Sequence, residues 1–297
     1  MIKSSIPIKE KNIMCSPKVA EVIRQRVANE GLPNLTRRNF LRMGSAAAAG
    51  AAVAAMGVHV RSARAYRDLE EVIDLSHVFS TTGPTYTPGE APTREDHVTV
   101  AANGFYIQKW SLFEHAGTHV DIPAHFIADG ETVDNYPPAR LLTRAVVIDI
   151  TAKVEGDDDA MLTVDDIGAW ESANGQIPEC ALVCMYSGWE SRWNDVDAFR
   201  NPDADGTMHF PGFSPEAAEF LVTERNIFGI AVDTLSLDFG ASATFDVHYT
   251  ILGAGKYGIE NIANLAAIKD NPDAKVVLGV PRWEAGSGGP CRVLALV

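Results

Sequence analysis

Basic residues are scarce over most of this chain. Residues 1–65 hold 11 of its 25 Lys and Arg but only 3 of its 39 Asp and Glu. The other 232 residues therefore carry 14 basic against 36 acidic side chains, a formal net charge of −22. A surface of that sign repels nucleic acid and anionic membrane, so neither is an expected partner. Cysteine is sparse too: four in 297 residues, with no C-x-x-C. That excludes a disulfide scaffold and gives no sign of a haem or iron–sulfur site. Cys180 and Cys184 share one strand-like run, too far apart along one strand to bridge, and read as buried free thiols. A leucine-rich membrane span is also missing. The long apolar run, Met43–Val60, is made largely of Ala and Gly and is a weak anchor.

That run has a different use. Thr36-Arg37-Arg38-Asn39-Phe40-Leu41-Arg42 is a twin-arginine sequence, the apolar run follows it, and Ala63-Arg64-Ala65 fits an A-x-A cleavage pattern. The order predicts a twin-arginine signal region with an N-terminal extension over residues 1–65. The mature domain is then 66–297, periplasmic or secreted, with no stable membrane insertion once the signal is removed. This route resembles the one that exports folded proteins, often with the cofactor already in place.

In the mature part, short Val- and Ile-rich runs have strand length: Val72–Leu75, Ala145–Ile150, Ala181–Tyr186, Phe228–Val232, Val276–Val280 and Val293–Val297. Tyr106–Phe113 reads as another strand. Helices are expected from the capping-box-like Thr163 to about Ser172, from Ser214-Pro215 to about Arg225, and over Ile259–Ile268. Strands outnumber helices and alternate with them only in the second half, which predicts a mixed α/β domain.

The chemistry is concentrated in Glu114-His115-Ala116-Gly117-Thr118-His119-Val120-Asp121-Ile122-Pro123-Ala124-His125-Phe126. Imidazole and carboxylate are ligands that suit a divalent metal such as zinc or manganese. Gly117 and Pro123 argue against a regular helix and favour a strand end passing into a tight turn. A His115, His119, Asp121 triad leaves a metal position open for water or substrate, as in a catalytic site. It also leaves His125 spare as a general base and acid.

The pattern His115-x-Gly117-Thr118-His119-x-Asp121-x-Pro123-x-His125-Phe126 resembles the signature of the cyclase family, which includes bacterial kynurenine formamidases and isatin hydrolases. Asp74-Leu75-Ser76-His77, Gly188-Trp189, Phe210-Pro211-Gly212, Val232-Asp233-Thr234-x-Ser236-x-Asp238, Asn264-Leu265 and Gly288-x-Pro290-x-Arg292 are similar to further family segments. The resemblance implies a mixed-sheet swivelling β/β/α fold and a homodimer or homotetramer. It implies that His115, His119 and Asp121 bind one metal, that His248 and Glu260 complete a second site bridged by Asp121, and that His125 shuttles protons. One or two zinc or manganese ions are compatible with it.

The expected reaction is attack of metal-bound hydroxide on the carbonyl of an aryl formamide or isatin-like cyclic amide, a small-molecule substrate. Tyr86, Trp189 and Phe210 are the expected aromatic pocket residues. His209 reads either as pocket lining or as a surface loop histidine. Where the formamidases carry a stacking Trp before Pro-Gly-Asp, this chain has Tyr86-Thr87-Pro88-Gly89-Glu90, which weighs against N-formylkynurenine itself. The alternatives are a hydrolase of the same mechanism acting on another ester, lactone or cyclic amide, and a periplasmic protein that holds a carboxylate on its metal without turnover.

Overall fold

The computed structural model of the protein describes residues 71–297. The twin-arginine segment and Ala65 lie outside the described residues. Among the described residues no helix is long and apolar enough to cross a membrane.

Nine strands form one mixed sheet. In chain order its members are β1 (Val72–Asp74), β4 (His119–Asp121), β5 (Leu142–Asp149), β7 (Leu182–Tyr186), β9 (Gly229–Val232), β10 (Tyr257–Glu260), β11 (Lys275–Gly279), β12 (Gly288–Pro290) and β13 (Arg292–Leu296). They are arranged β1-β13-β11-β5-β7-β9-β10-β4-β12. The centre, β5-β7-β9-β10, is parallel. The flanks are antiparallel. Two small pairs form sheets of their own: β2 (Thr93–Val98) with β3 (Ile107–Ser111), and β6 (Met161–Leu162) with β8 (Gly212–Phe213).

Two compact units are distinguished, and residues 94–110 belong to one of them. There the β2–β3 ribbon turns through Thr99, whose hydroxyl caps a single helical turn, Val100–Asn103. Across it Lys109 pairs with Glu95 at 3.0 Å and the Tyr106 hydroxyl donates to Asp96 at 2.6 Å.

The central strands are continuous apolar runs because both of their faces are covered. Side chains alternate between two cores. Ala145, Val147, Leu182, Cys184 and Ala231 enter one, with Ile259, Val276 and Val293. Val146, Ile148, Val183, Met185, Ile230 and Val232 enter the other, under three helices. These are α1 (Val164–Asn174), α2 (Pro215–Glu224) and α3 (Asp246–Gly253). Thr163 and Asp166 form a complete capping box on α1. Ser214 caps α2, its hydroxyl accepting from Ala217 N at 3.1 Å, with Pro215 in the first turn.

Two expectations are corrected. Ile259–Ile268 is not a helix: Tyr257–Glu260 is a fully buried strand between parallel β9 and antiparallel β4. Asn261 and Asn264, both at φ 56°, then turn the chain into a short 3-10 segment, Leu265–Ala267. Glu260 therefore ends a strand rather than starting a helix. Cys180 precedes β7 at φ 65° and is not part of the strand that carries Cys184. Cys180, Cys184 and Cys291 are free thiols; Cys184 is buried as expected, whereas Cys180 is only half-buried.

Candidate functional site

The period of two in β4 puts His119 and Asp121 on one face. Glu260, at the end of β10, is the register partner of His119. α3 adds His248. The four side chains meet in the buried interior: His119 Nε2 lies 3.4 Å from Asp121 Oδ1 and 3.3 Å from Glu260 Oε2, and His248 Nε2 lies 3.4 Å from Asp121 Oδ2 and 3.1 Å from Glu260 Oε1.

Glycine sets the approach. Gly117 adopts φ +65°, and a Cβ there would stand 2.8 Å from the Phe79 ring. A Cβ on Gly288, in the neighbouring β12, would lie 2.3 Å from the Val120 carbonyl oxygen and 2.6 Å from His115 Cε1. Each glycine lets backbone and imidazole pack where a side chain would not fit.

The electrostatics are those of two buried carboxylates seeking positive charge. Burial opposes the charged form of His119, yet bonds to Asp121 and Glu260 outweigh it and lift its pKa to about 10. His248 is raised too, against burial, by Asp121, Asp238 and Glu260. Burial also opposes the Asp121 carboxylate, but His115, His119 and His248 hold it well below the usual range. Asp121 Oδ2 is buried without a hydrogen-bond partner.

This donor set fits a divalent cation. Ligand atoms at about 2.0–2.2 Å from one ion stand about 3.0–3.5 Å apart; His119, Asp121 and Glu260 each offer one ligand atom within 4.8 Å of the others, while His248 meets the other oxygens of the same two carboxylates. Two carboxylates balance a double positive charge, and a bound ion would replace the protons on both imidazoles. The outer nitrogens are already fixed. His119 Nδ1 donates to the Gly117 carbonyl at 2.9 Å, and His248 Nδ1 donates to Asp238 Oδ2 at 2.6 Å. Each leaves Nε2 facing the cluster, the orientation that metal-ligating imidazoles need.

His115 stands beside this quartet. Its Nδ1 lies 2.6 Å from Asp121 Oδ1 and its Nε2 lies 2.9 Å from Ser287 Oγ. The Ser287 hydroxyl and backbone N–H both donate to Glu114 Oε2. His125 comes from a 3-10 turn, Pro123–His125, and stacks on His115 with ring centroids 3.7 Å apart. Burial pushes its pKa down to about 4. His115, Asp121 and His125 also lie close enough to share an ion.

A cavity of about 220 Å³ opens onto this cluster. Tyr86, Phe126 and Phe245 line it with His115, His119, His125, His248, Glu260 and Asn261. A larger groove of about 420 Å³, lined by β5, α1 and residues 269–272, contains no histidine.

Of the expected pocket residues, Tyr86 lines the cavity and three others do not. Trp189 is 1% exposed, its indole N–H donating to the Phe199 carbonyl at 2.8 Å, and Phe210 is fully buried; both belong to a separate apolar cluster. His209 is half-buried and pairs with Asp159 at 2.6 Å, outside the cavity. Apolar bulk sent both aromatics into the core, and an acidic loop took the histidine.

Several residues of the site carried no role in the sequence reading. Asp238, at the end of the Asp233-to-Asp238 motif, accepts from His248 Nδ1 and from the N–H groups of Val247 and His248. Glu114 and Ser287 flank two recognisable motifs. Asn261 follows Glu260, and its Nδ2 donates to the Gly117 carbonyl at 3.0 Å. Phe245 lies in a stretch with no motif.

The cyclase family profile matches residues 73–239. The chain is 34% identical over 206 residues to the isatin hydrolase of Roseibium aggregatum, covering 65% of this chain and 76% of that protein. The fold matches isatin hydrolase A from Ralstonia solanacearum with a TM-score of 0.73 at 33% identity, over 89% of this chain and 98% of that one. It also matches an isatin hydrolase bound to the product analogue thioisatinate, with a TM-score of 0.73 at 28% identity, over 84% and 98% of the two chains.

Proposed function

The chain belongs to the cyclase family, and from that premise we propose that it is a metal-dependent amidohydrolase opening isatin-like cyclic amides at the carbon–nitrogen bond. Aryl formamides are the second substrate class. The observation that carries this reading is the buried quartet of His119, Asp121, His248 and Glu260 at the floor of a cavity walled by aromatic rings and His125.

His119, Asp121, His248 and Glu260, with His115 adjoining through Asp121, would hold one or two ions. A donor set of nitrogen and oxygen alone suits zinc or manganese. A divalent ion there supplies polarisation of the substrate carbonyl and a lowered pKa for water. The chain's own residues do the rest. His125 is kept neutral by burial. It accepts a proton as water oxygen bonds to the carbonyl carbon, and returns it to the departing nitrogen as the C–N bond breaks. In a lactam the ring opens to an amino-carboxylate. Asp238 and the Gly117 carbonyl hold His248 and His119 in the required tautomers.

The test is hydrolysis of isatin, N-formylkynurenine and simple lactones by the metal-loaded protein, with elemental analysis of the bound ion. Turnover of isatin well above that of formylkynurenine is expected. Lactone turnover alone would move the protein to the ester-cleaving alternative, and carboxylate binding without any turnover would make it a binding protein.

Two broader features belong to the same reading. Residues 1–65 act as a twin-arginine leader cleaved after Ala65, so the periplasmic or secreted protein begins at Tyr66. N-terminal sequencing of the exported form checks this, and an intact leader would refute it. The mature protein is a homodimer or homotetramer, which light scattering on the purified protein reads directly.

A further inference from the structure

Phe245 breaks three local rules at once. It is the N-cap of α3, a position where Ser, Thr, Asp and Asn are preferred for a side-chain acceptor, and it supplies none. Its backbone is left-handed, φ 53° and ψ 41°, where an N-cap is ordinarily extended and a bulky residue is rarely found. Its ring belongs to none of the three apolar clusters of the core. The ring lies instead in the cavity wall, 5.6 Å from the Phe126 centroid, 6.1 Å from that of Tyr86 and 5.7 Å from His248. Strained non-glycine backbone persists where the surroundings over-determine it, and such residues gather at ligand-binding sites.

We propose that Phe245 is a specificity-determining residue whose ring, with Tyr86 and Phe126, forms the aromatic wall against which the planar ring of the substrate lies. The left-handed backbone is the device that puts the ring there. Aromatic rings contribute apolar area and prefer offset or edge-to-face neighbours, and the tilts of 53° between Phe245 and both Tyr86 and Phe126 leave such a face to a flat ligand. The assignment rests on the amidohydrolase reading and names the part of the substrate that this site reads: a fused or attached aryl ring rather than the amide alone.

The test compares Phe245→Gly, Phe245→Ala and Phe245→Leu with the unaltered protein. Each is assayed for hydrolysis of isatin and of pyrrolidine-2,3-dione, which keeps the five-membered α-keto lactam and lacks the aryl ring. Binding of isatinate, the ring-opened product, is titrated separately. The expected result is a loss of about 10-fold or more in the isatin-to-pyrrolidinedione ratio of kcat/KM, carried mainly by KM, and a parallel loss of isatinate binding. Metal content should stay the same. Phe245→Gly should melt no lower than Phe245→Ala, because glycine adopts the left-handed conformation without strain. An unchanged ratio, or equal losses on both substrates accompanied by loss of metal, would overturn the proposal and leave Phe245 as a support for His248. The isatinate titration separates the two readings. Binding that depends on Phe245 without isatin turnover sinks the amidohydrolase reading and keeps the aryl wall; turnover indifferent to Phe245 does the reverse.

Discussion

At the scale of single residues, His125 and Asp238 make opposite demands on an experiment. His125→Ala should lower kcat by about 10²–10⁴-fold, the usual worth of a positioned acid–base group. It should leave metal content and melting temperature close to their starting values. Asp238→Asn should do the reverse. Asparagine keeps one acceptor oxygen, enough for the Val247 N–H at the head of α3, but its amide nitrogen cannot accept from the His248 backbone N–H or orient the His248 ring as Asp238 Oδ2 does. Metal affinity should fall about 10–100-fold, measured by chelator competition, with a stability loss of about 1 kcal/mol from the lost cap bond. If Asp238→Asn binds metal normally, the carboxylate only caps the helix.

At the scale of elements, α1 and the end of α2 are tied by a bidentate pair. Arg225 Nε donates to Glu171 Oε1 at 2.6 Å and Nη2 donates to Oε2 at 2.8 Å. The Arg225 hydrogen bond holds the Glu171 carboxyl below its ordinary value of 4.5. A depressed carboxyl stabilises the fold fully above the unfolded pKa, and that share is lost as pH falls through the lower folded value. Glu171→Gln should therefore cost about 1 kcal/mol near neutral pH, and the deficit should vanish in acid. Urea titrations at pH 7 and pH 3 check the sign.

Elements also show what a sequence can and cannot display. The parallel strands were legible as Val- and Ile-rich runs because burial on both faces leaves no polar alternation. The caps at Thr163 and Ser214 were legible because hydroxyl capping is local. Tyr257–Glu260 misled for the same reason that the others succeeded: a short strand buried on every side has no period of its own. The following Asn-Ile-Ala-Asn-Leu stretch then supplied false helical spacing. At the site, the motif from His115 to His125 could be read directly. His248 and Glu260 could be placed only by family resemblance, because nothing local joins them to Asp121. Trp189 and Phe210 show the limit of composition, since an aromatic side chain fills a core as readily as it lines a pocket.

At the scale of the whole molecule, the quartet ties metal to stability. Two carboxylates are buried together, so removing the ion leaves their charge to be met by protonated imidazoles. Chelation should lower the melting temperature by about 5–10 °C, the shift expected for a domain of this size when a ligand present at about 100 times its Kd is withdrawn. Zinc or manganese should restore it, and scanning calorimetry reads both steps. An unchanged melting temperature would mean that the cluster does not hold the ion.

The pairing of β4 with β10 has a kinetic consequence. The Thr118 hydroxyl donates to the carbonyl of Asn261 across 143 residues of chain, and His119 meets Glu260 in the same register. Loop closure of that span comes late, because distant contacts return nothing until the chain between them is ordered. An ion-binding signal should therefore trail recovery of secondary structure during refolding, and a nascent chain still on the ribosome would hold no complete site until residue 260 had emerged.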